Sequence, residues 1–112
     1  MVYDAATAAL AVLEMRVPLD LAPELIPDDY VLITIDLGDA ALEQVQVIPA
    51  QSRRFGDVWL AERRGSVLQV PSAIVPESPN LLINPAHPAA SAIAIAGQRP
   101  FAFDQRLWLP RP

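Results

Sequence analysis

Cysteine is absent from this 112-residue sequence, so disulfides, thiolate nucleophiles and thiolate metal ligands are all excluded. Histidine occurs once, as His87, which leaves no zinc site of the usual ligand types, and no cluster of carboxylates points to magnesium. Lysine is also absent. The eight cations are all arginine and face 13 acidic residues, giving a formal charge of −5. With an isoelectric point near 4.6, the chain lacks the general positive field that direct nucleic-acid binding needs. The pairs Arg53-Arg54 and Arg63-Arg64 sit beside Asp57 or Glu62 and read as solvated helix faces. Glycine is scarce, at 38, 56, 65 and 97, and forms neither GxGxxG nor a P-loop; no GxSxG elbow occurs either. No apolar run reaches the ~18–20 residues of a membrane helix. Residues 5–13 are apolar but short and without a basic flank, so neither a membrane segment nor a signal peptide is expected, and a cytoplasmic address fits.

What is present is apolar and heavily punctuated. Hydrophobic residues make up 53% and charged residues 19%, a balance that excludes intrinsic disorder. Twelve prolines cut the chain into short pieces, so helices must be few. Residues 4–16 read as a helix capped by Asp4 and ended by Pro18, with Ala6, Leu10, Leu13 and Val17 as its apolar face and Glu14 flanking it. Tyr30–Leu37, apolar on both faces, reads as a central strand, and Val45–Ile48 as a shorter one. A second helix is expected over 53–64, capped by Ser52, stopped by Gly65 and buried through Phe55, Trp59 and Val58. Ser66–Val70 then reads as a strand delivering Pro71-Ser72-Ala73. Short strands are expected at Ile74–Val75, Leu81–Ile83 and Ser91–Ile95, and the tail Phe101–Trp108 should pack back on the sheet. The fold class is α+β, a mixed sheet with two main helices.

Two residues stand out as chemistry. Glu14 is a lone carboxylate beside an apolar helix face, either an edge residue reaching solvent or a carboxylate held for a purpose. Ser72 lies between prolines where a strand ends, either a turn serine bonding its own backbone or a site residue. A Ser72–His87–Asp triad has the residue types, but nothing in the spacing fixes its geometry.

The run VYDAATAALAVLEMRV resembles the VY-x-(S/T)-x-x-LA-x-LE stretch of the RES-domain family, the toxin half of bacterial Xre–RES toxin–antitoxin pairs. The likeness continues in order through DDYVLITIDL, SRRFGDVWLAERRGSVLQVPSAIVP, NLLINPAHP and PFAFDQRL, nearly the whole chain. The family's name denotes an arginine, a glutamate and a serine, and the last two fall on Glu14 and Ser72.

This resemblance implies an ADP-ribosyltransferase-like fold and a toxin acting on NAD+ as substrate, without a metal. The reaction implied is cleavage of the nicotinamide–ribose bond by phosphorolysis or hydrolysis, or transfer of ADP-ribose to a protein. Tyr3, Glu14 and Ser72 are the implied catalytic and NAD+-binding residues. Tyr3 would stack on nicotinamide or donate its phenolic proton, Glu14 would stabilise the cationic ribose or bind its hydroxyl, and Ser72 would bond the ribose or phosphate side. Asn84 is expected to order a strand end. The implied partner is an Xre-like antitoxin. The family also carries a GRW-type segment before the VY motif, bearing its arginine. Because this sequence begins at Met1, a single shortened domain over residues 1–112 is expected, with uncovered apolar surface and therefore a homo-oligomer or toxin–antitoxin complex. Without that cationic clamp, NAD+ binding should be weak, a buried unpaired anion costing on the order of 2–5 kcal/mol, unless Arg53 or Arg54 replaces it. A catalytically impaired remnant that binds an antitoxin or itself is the alternative.

Overall fold

The computed structural model describes residues 1–46 and 50–108. The elements run β1 (Val2–Ala5), α1 (Ala8–Arg16), β2 (Val31–Asp36), β3 (Leu42–Gln44), α2 (Ser52–Glu62), β4 (Val67–Pro71), β5 (Pro79–Ile83) and β6 (Ala94–Pro100). Short 3-10 turns lie at Pro23–Leu25, Pro88–Ala92 and Gln105–Leu107. Four strands form a mixed sheet in the order β1-β5-β4-β3, with β3 parallel to β4 and the other pairs antiparallel. Strands β2 and β6 form a separate antiparallel pair. The class is α+β, as expected.

The core forms where α2 crosses the four-stranded sheet. Leu68 of β4 and Leu82 of β5 stand opposite each other in register, and Trp59 packs on both. Phe55, Leu60, Val45 and Val70 ring this cluster. Trp59 has no exposed surface, and truncating so large a buried side chain typically costs about 3–5 kcal/mol. The helix ends differ from expectation. Gln51, not Ser52, is the N-cap, with no side-chain capping bond, and the C-cap is Arg63 in the left-handed region at φ 51° rather than a glycine. Val58 is exposed, so the buried face is narrower than the sequence implies.

The first helix is shorter than expected and begins later. Residues 2–5 are a strand, pairing Val2 with Ile83 through to Ala5 with Asn80. Asp4 therefore lies in β1, and the capping role passes to Thr7, whose Oγ1 accepts from the Leu10 backbone N–H at 3.1 Å. Of the expected apolar face only Leu10 is buried; Leu13 and Val17 are exposed.

Strand β2 is not central. Among the described residues it has one neighbour, β6, and it shows Val31 and Ile33 to solvent at 51% and 48% exposure. Its turn onward uses Gly38 at φ 58°, where a Cβ would stand 2.8 Å from the Ala92 carbonyl oxygen, so the backbones pass too closely for a side chain. The expected strand at Val45–Ile48 is displaced to Leu42–Gln44, and residues 47 and 48 lie outside the described residues. Ile74–Val75 forms no strand, Ile74 lying in a bend with Ala73, and Ser91–Ile95 divides between a 3-10 turn and the start of β6. The tail is anchored by edge-to-face contacts running Tyr30–Phe103, Phe101–Phe103 and Phe103–Trp108, geometry that suits the ring quadrupoles.

Candidate functional site

Three elements converge on one carboxylate oxygen. The last turn of α1 carries Glu14, the segment leaving β4 carries Ser72, and β5 carries Asn80. The Ser72 hydroxyl donates to Glu14 Oε1 at 2.7 Å, and Asn80 Nδ2 donates to the same oxygen at 3.0 Å. Bonds from a neutral donor to an ionised acceptor are shorter and stronger than neutral pairs. Glu14 is half-buried, and its Oε2 has no hydrogen-bond partner among the described residues.

The β4–β5 hairpin explains why Ser72 and Asn80 meet. Its ladder ends at the pair Pro71–Pro79, where neither ring can donate a backbone hydrogen bond. The connection is closed by Ser72 N–H donating to Ser78 O and Ser78 N–H donating to Val75 O, both at 2.9 Å. The Ser72 hydroxyl also accepts from the Ile74 and Val75 backbone N–H groups at 3.1 and 3.2 Å. Its proton goes to Glu14 and both lone pairs to the turn, so its hydrogen-bonding capacity is full. It has no exposed surface. The turn-serine reading and the site reading are thus one arrangement: the turn aims the hydroxyl at the carboxylate.

Tyr3 sits on the same face of the sheet as Asn80. In β1 it stands opposite Leu82, two residues beyond Asn80 on β5, which makes Tyr3 and Asn80 diagonal neighbours about 7–8 Å apart at Cα. Its side chain is 75% exposed. Asp4 points to the other face; burial raises its carboxyl above the ordinary value, and its Oδ2 is buried without a partner among the described residues.

The remaining candidates are engaged elsewhere. Asn84 is buried and orders the end of β5, its Oδ1 accepting from Ala86 N–H at 3.1 Å while its own N–H donates to Ser66 O at 2.8 Å. His87 Nδ1 accepts from Ala89 N–H at 3.0 Å, and no hydrogen bond links it to Ser72. Arg16 donates through Nε to Leu107 O and through Nη1 to Leu19 O, with its guanidinium 4.3 Å from the centre of the Trp108 ring. Arg53 and Arg54 are exposed in the first turn of α2 and line an open groove of about 450 Å³ with Ala50, Gln51, Ser52 and Asp57. A second groove of about 480 Å³ also follows α2, and neither is lined by Glu14, Ser72 or Asn80. Among the described residues no group of three or more potential ligands could hold a metal ion, and no helix is long and apolar enough to cross a membrane.

Asn80 is the member of this cluster that sequence reasoning missed. The available signal was a single amide opening the otherwise apolar strand Pro79–Ile83.

The family model of the RES domain matches residues 1–104. A protein of Sphingobium sp. (strain YBL2) named Prs ADP-ribosylating toxin is 38% identical over 95% of this chain and 73% of its own length. Two proteins named Toxin Res are also similar. That of Pseudomonas putida is 36% identical over 96% of this chain and 79% of its own length, and that of Yersinia enterocolitica 30% identical over 95% and 76%. The match runs through β1, α1 and the β4–β5 hairpin that hold the Glu14 cluster: this chain belongs to the RES domain family.

Proposed function

We propose that this chain is a RES-type toxin domain that cleaves the nicotinamide–ribose bond of NAD+, with Glu14 as the catalytic carboxylate. The observation that carries the reading is the one-sided anchoring of Glu14, with two donors on Oε1 and none among the described residues on Oε2. Breaking that bond develops positive charge on the ribose, and a fixed carboxylate stabilises charge that grows toward the transition state without reorganising. Ser72 serves by positioning Glu14, because its hydroxyl is spent and buried. Tyr3 offers an exposed ring for stacking on nicotinamide beside the cluster. No arginine is bonded into the cluster among the described residues, and exposed Arg53 and Arg54 are the candidates for the pyrophosphate end.

Transfer of ADP-ribose to a protein is a second reading, favoured by the name of the Sphingobium relative. It shares the bond-breaking step and differs only in the acceptor. The partner proposed is an Xre-like antitoxin, and the apolar surface available to it or to a second copy is the β2–β6 pair. The test is Glu14→Gln. The glutamine carbonyl oxygen still accepts from Ser72 and Asn80, so folding should survive while nicotinamide release from NAD+ is lost. Equal, nonzero release by wild type and variant overturns the assignment.

A further inference from the structure

We infer that Asn80 is a positioning residue for the reaction, selecting which oxygen of Glu14 faces the ribose. This rests on the reading of Glu14 as the carboxylate that acts on NAD+. A glutamate side chain can turn about its last torsion and exchange its two oxygens, because that torsion is broad and two-fold. One hydroxyl donor fixes a carboxylate at a point but leaves it free to swing. Asn80 supplies a second donor to the same oxygen from a different element, at 3.0 Å beside the 2.7 Å bond from Ser72. The donors arrive from the two strands at the turn end of the β4–β5 hairpin, so both hold Oε1, while Oε2 has no donor among the described residues.

Asn80 is well placed for this because β5 lies between β1 and β4. It pairs with Ala5 on one side and Val70 on the other, so its backbone is fixed by two ladders. The amide orientation follows from its partner: only the NH2 end can face a carboxylate oxygen. The position also lies diagonally from Tyr3, so the ring offered to nicotinamide and the donor that orients Glu14 stand on one face of the sheet.

The experiment compares wild type, Asn80→Ala, Asn80→Asp and Glu14→Gln in the full chain. It measures kcat and KM for nicotinamide release, together with the urea unfolding midpoint. Asn80→Ala should lower kcat on the order of 10- to 100-fold, the scale of one hydrogen bond to a charged group, with KM little changed. Asn80→Asp should lower it further, since a second carboxylate would face Oε1 without a donor. A purely structural role would instead move the midpoint and leave the kcat of the folded fraction intact. An activity-independent readout is the side-chain amide resonance of Asn80, which should shift in Glu14→Ala. A working wild type whose Asn80→Ala variant keeps full kcat overturns the role of Asn80 alone. A wild type that releases no nicotinamide overturns the NAD+ reading and the inference with it. An Asn80 amide signal indifferent to Glu14→Ala removes the hydrogen bond itself.

Discussion

Replacing Ser72 with alanine separates two roles that a site serine can have. The hydroxyl sits 2.7 Å from Glu14 Oε1 with no exposed surface, so its loss removes a charge-assisted hydrogen bond worth about 1.5–3 kcal/mol. The Ile74 and Val75 N–H groups also lose their acceptor, but both residues reach the surface, where water can replace it. A net loss of about 2–3 kcal/mol is expected, or roughly 10–20 °C in melting temperature for a domain of this size. Activity should fall as well, because Glu14 is then held by Asn80 alone. Thermal unfolding followed by circular dichroism, alongside nicotinamide release at a temperature where both forms are folded, reads the two effects. If Ser72→Ala melts with wild type yet is wholly inactive, the hydroxyl acts on substrate directly and the positioning argument is wrong.

Two further outcomes follow from the rest of the molecule. Burial raises the Asp4 carboxyl above its ordinary value of 3.8, so the stability it favours is complete below that pH and is lost as pH rises through the folded value. Asp4→Asn should therefore be more stable than wild type at pH 7, with the advantage gone near pH 3; urea titrations at both pH values that show no such difference would exclude the effect. The β2–β6 pair exposes Val31, Ile33 and Ile95, and isolated two-stranded sheets are marginal in water. Self-association is expected in light scattering, and a monomer across a wide concentration range would count against it.

The sequence announced parts of this site unevenly, and the reason is the range of the contacts. Glu14 and Ser72 were both visible as residues out of keeping with their surroundings, and the family register tied them together. Asn80 was not, because one amide at the start of a strand is unremarkable until a helix 66 positions away brings a carboxylate to it. The core around Trp59 followed from local periodicity, since α2 and the hairpin beneath it are adjacent in sequence. The beginning of the chain did not. VYDA pairs with β5 almost 80 residues on, and nothing in its own pattern distinguishes an edge strand from the first turn of the helix that follows. Strand β2 departs from expectation for the opposite reason: an apolar run fits a central strand equally well, and only its pairing with β6 alone, among the described residues, reveals it as half of a two-stranded pair.

The position of Glu14 depends on α1 being pinned at both ends, and that constraint bears on which arginine can meet an anion. Thr7 closes the first turn, and Arg16, two residues after Glu14, ties the last turn to the tail. Its Nε bonds Leu107 O at 3.1 Å, its Nη1 bonds Leu19 O at 3.2 Å, and its plane lies over Trp108, whose Nε1 donates in turn to Leu21 O. A guanidinium also complements the helix C-terminus, where the backbone carbonyls concentrate negative charge. Recruiting Arg16 to a phosphate would break these contacts and loosen the helix that carries the carboxylate. Arg16 is therefore committed to geometry, and a side chain with free donors is better suited to meet the proposed pyrophosphate. Arg53 and Arg54 are exposed at the start of α2, and no hydrogen bond or ion pair joins either of them to the Glu14 cluster. The ribose end and the phosphate end of the proposed site thus rest on different elements, so substitutions at Glu14 and at Arg53 or Arg54 should separate into effects on turnover and effects on affinity.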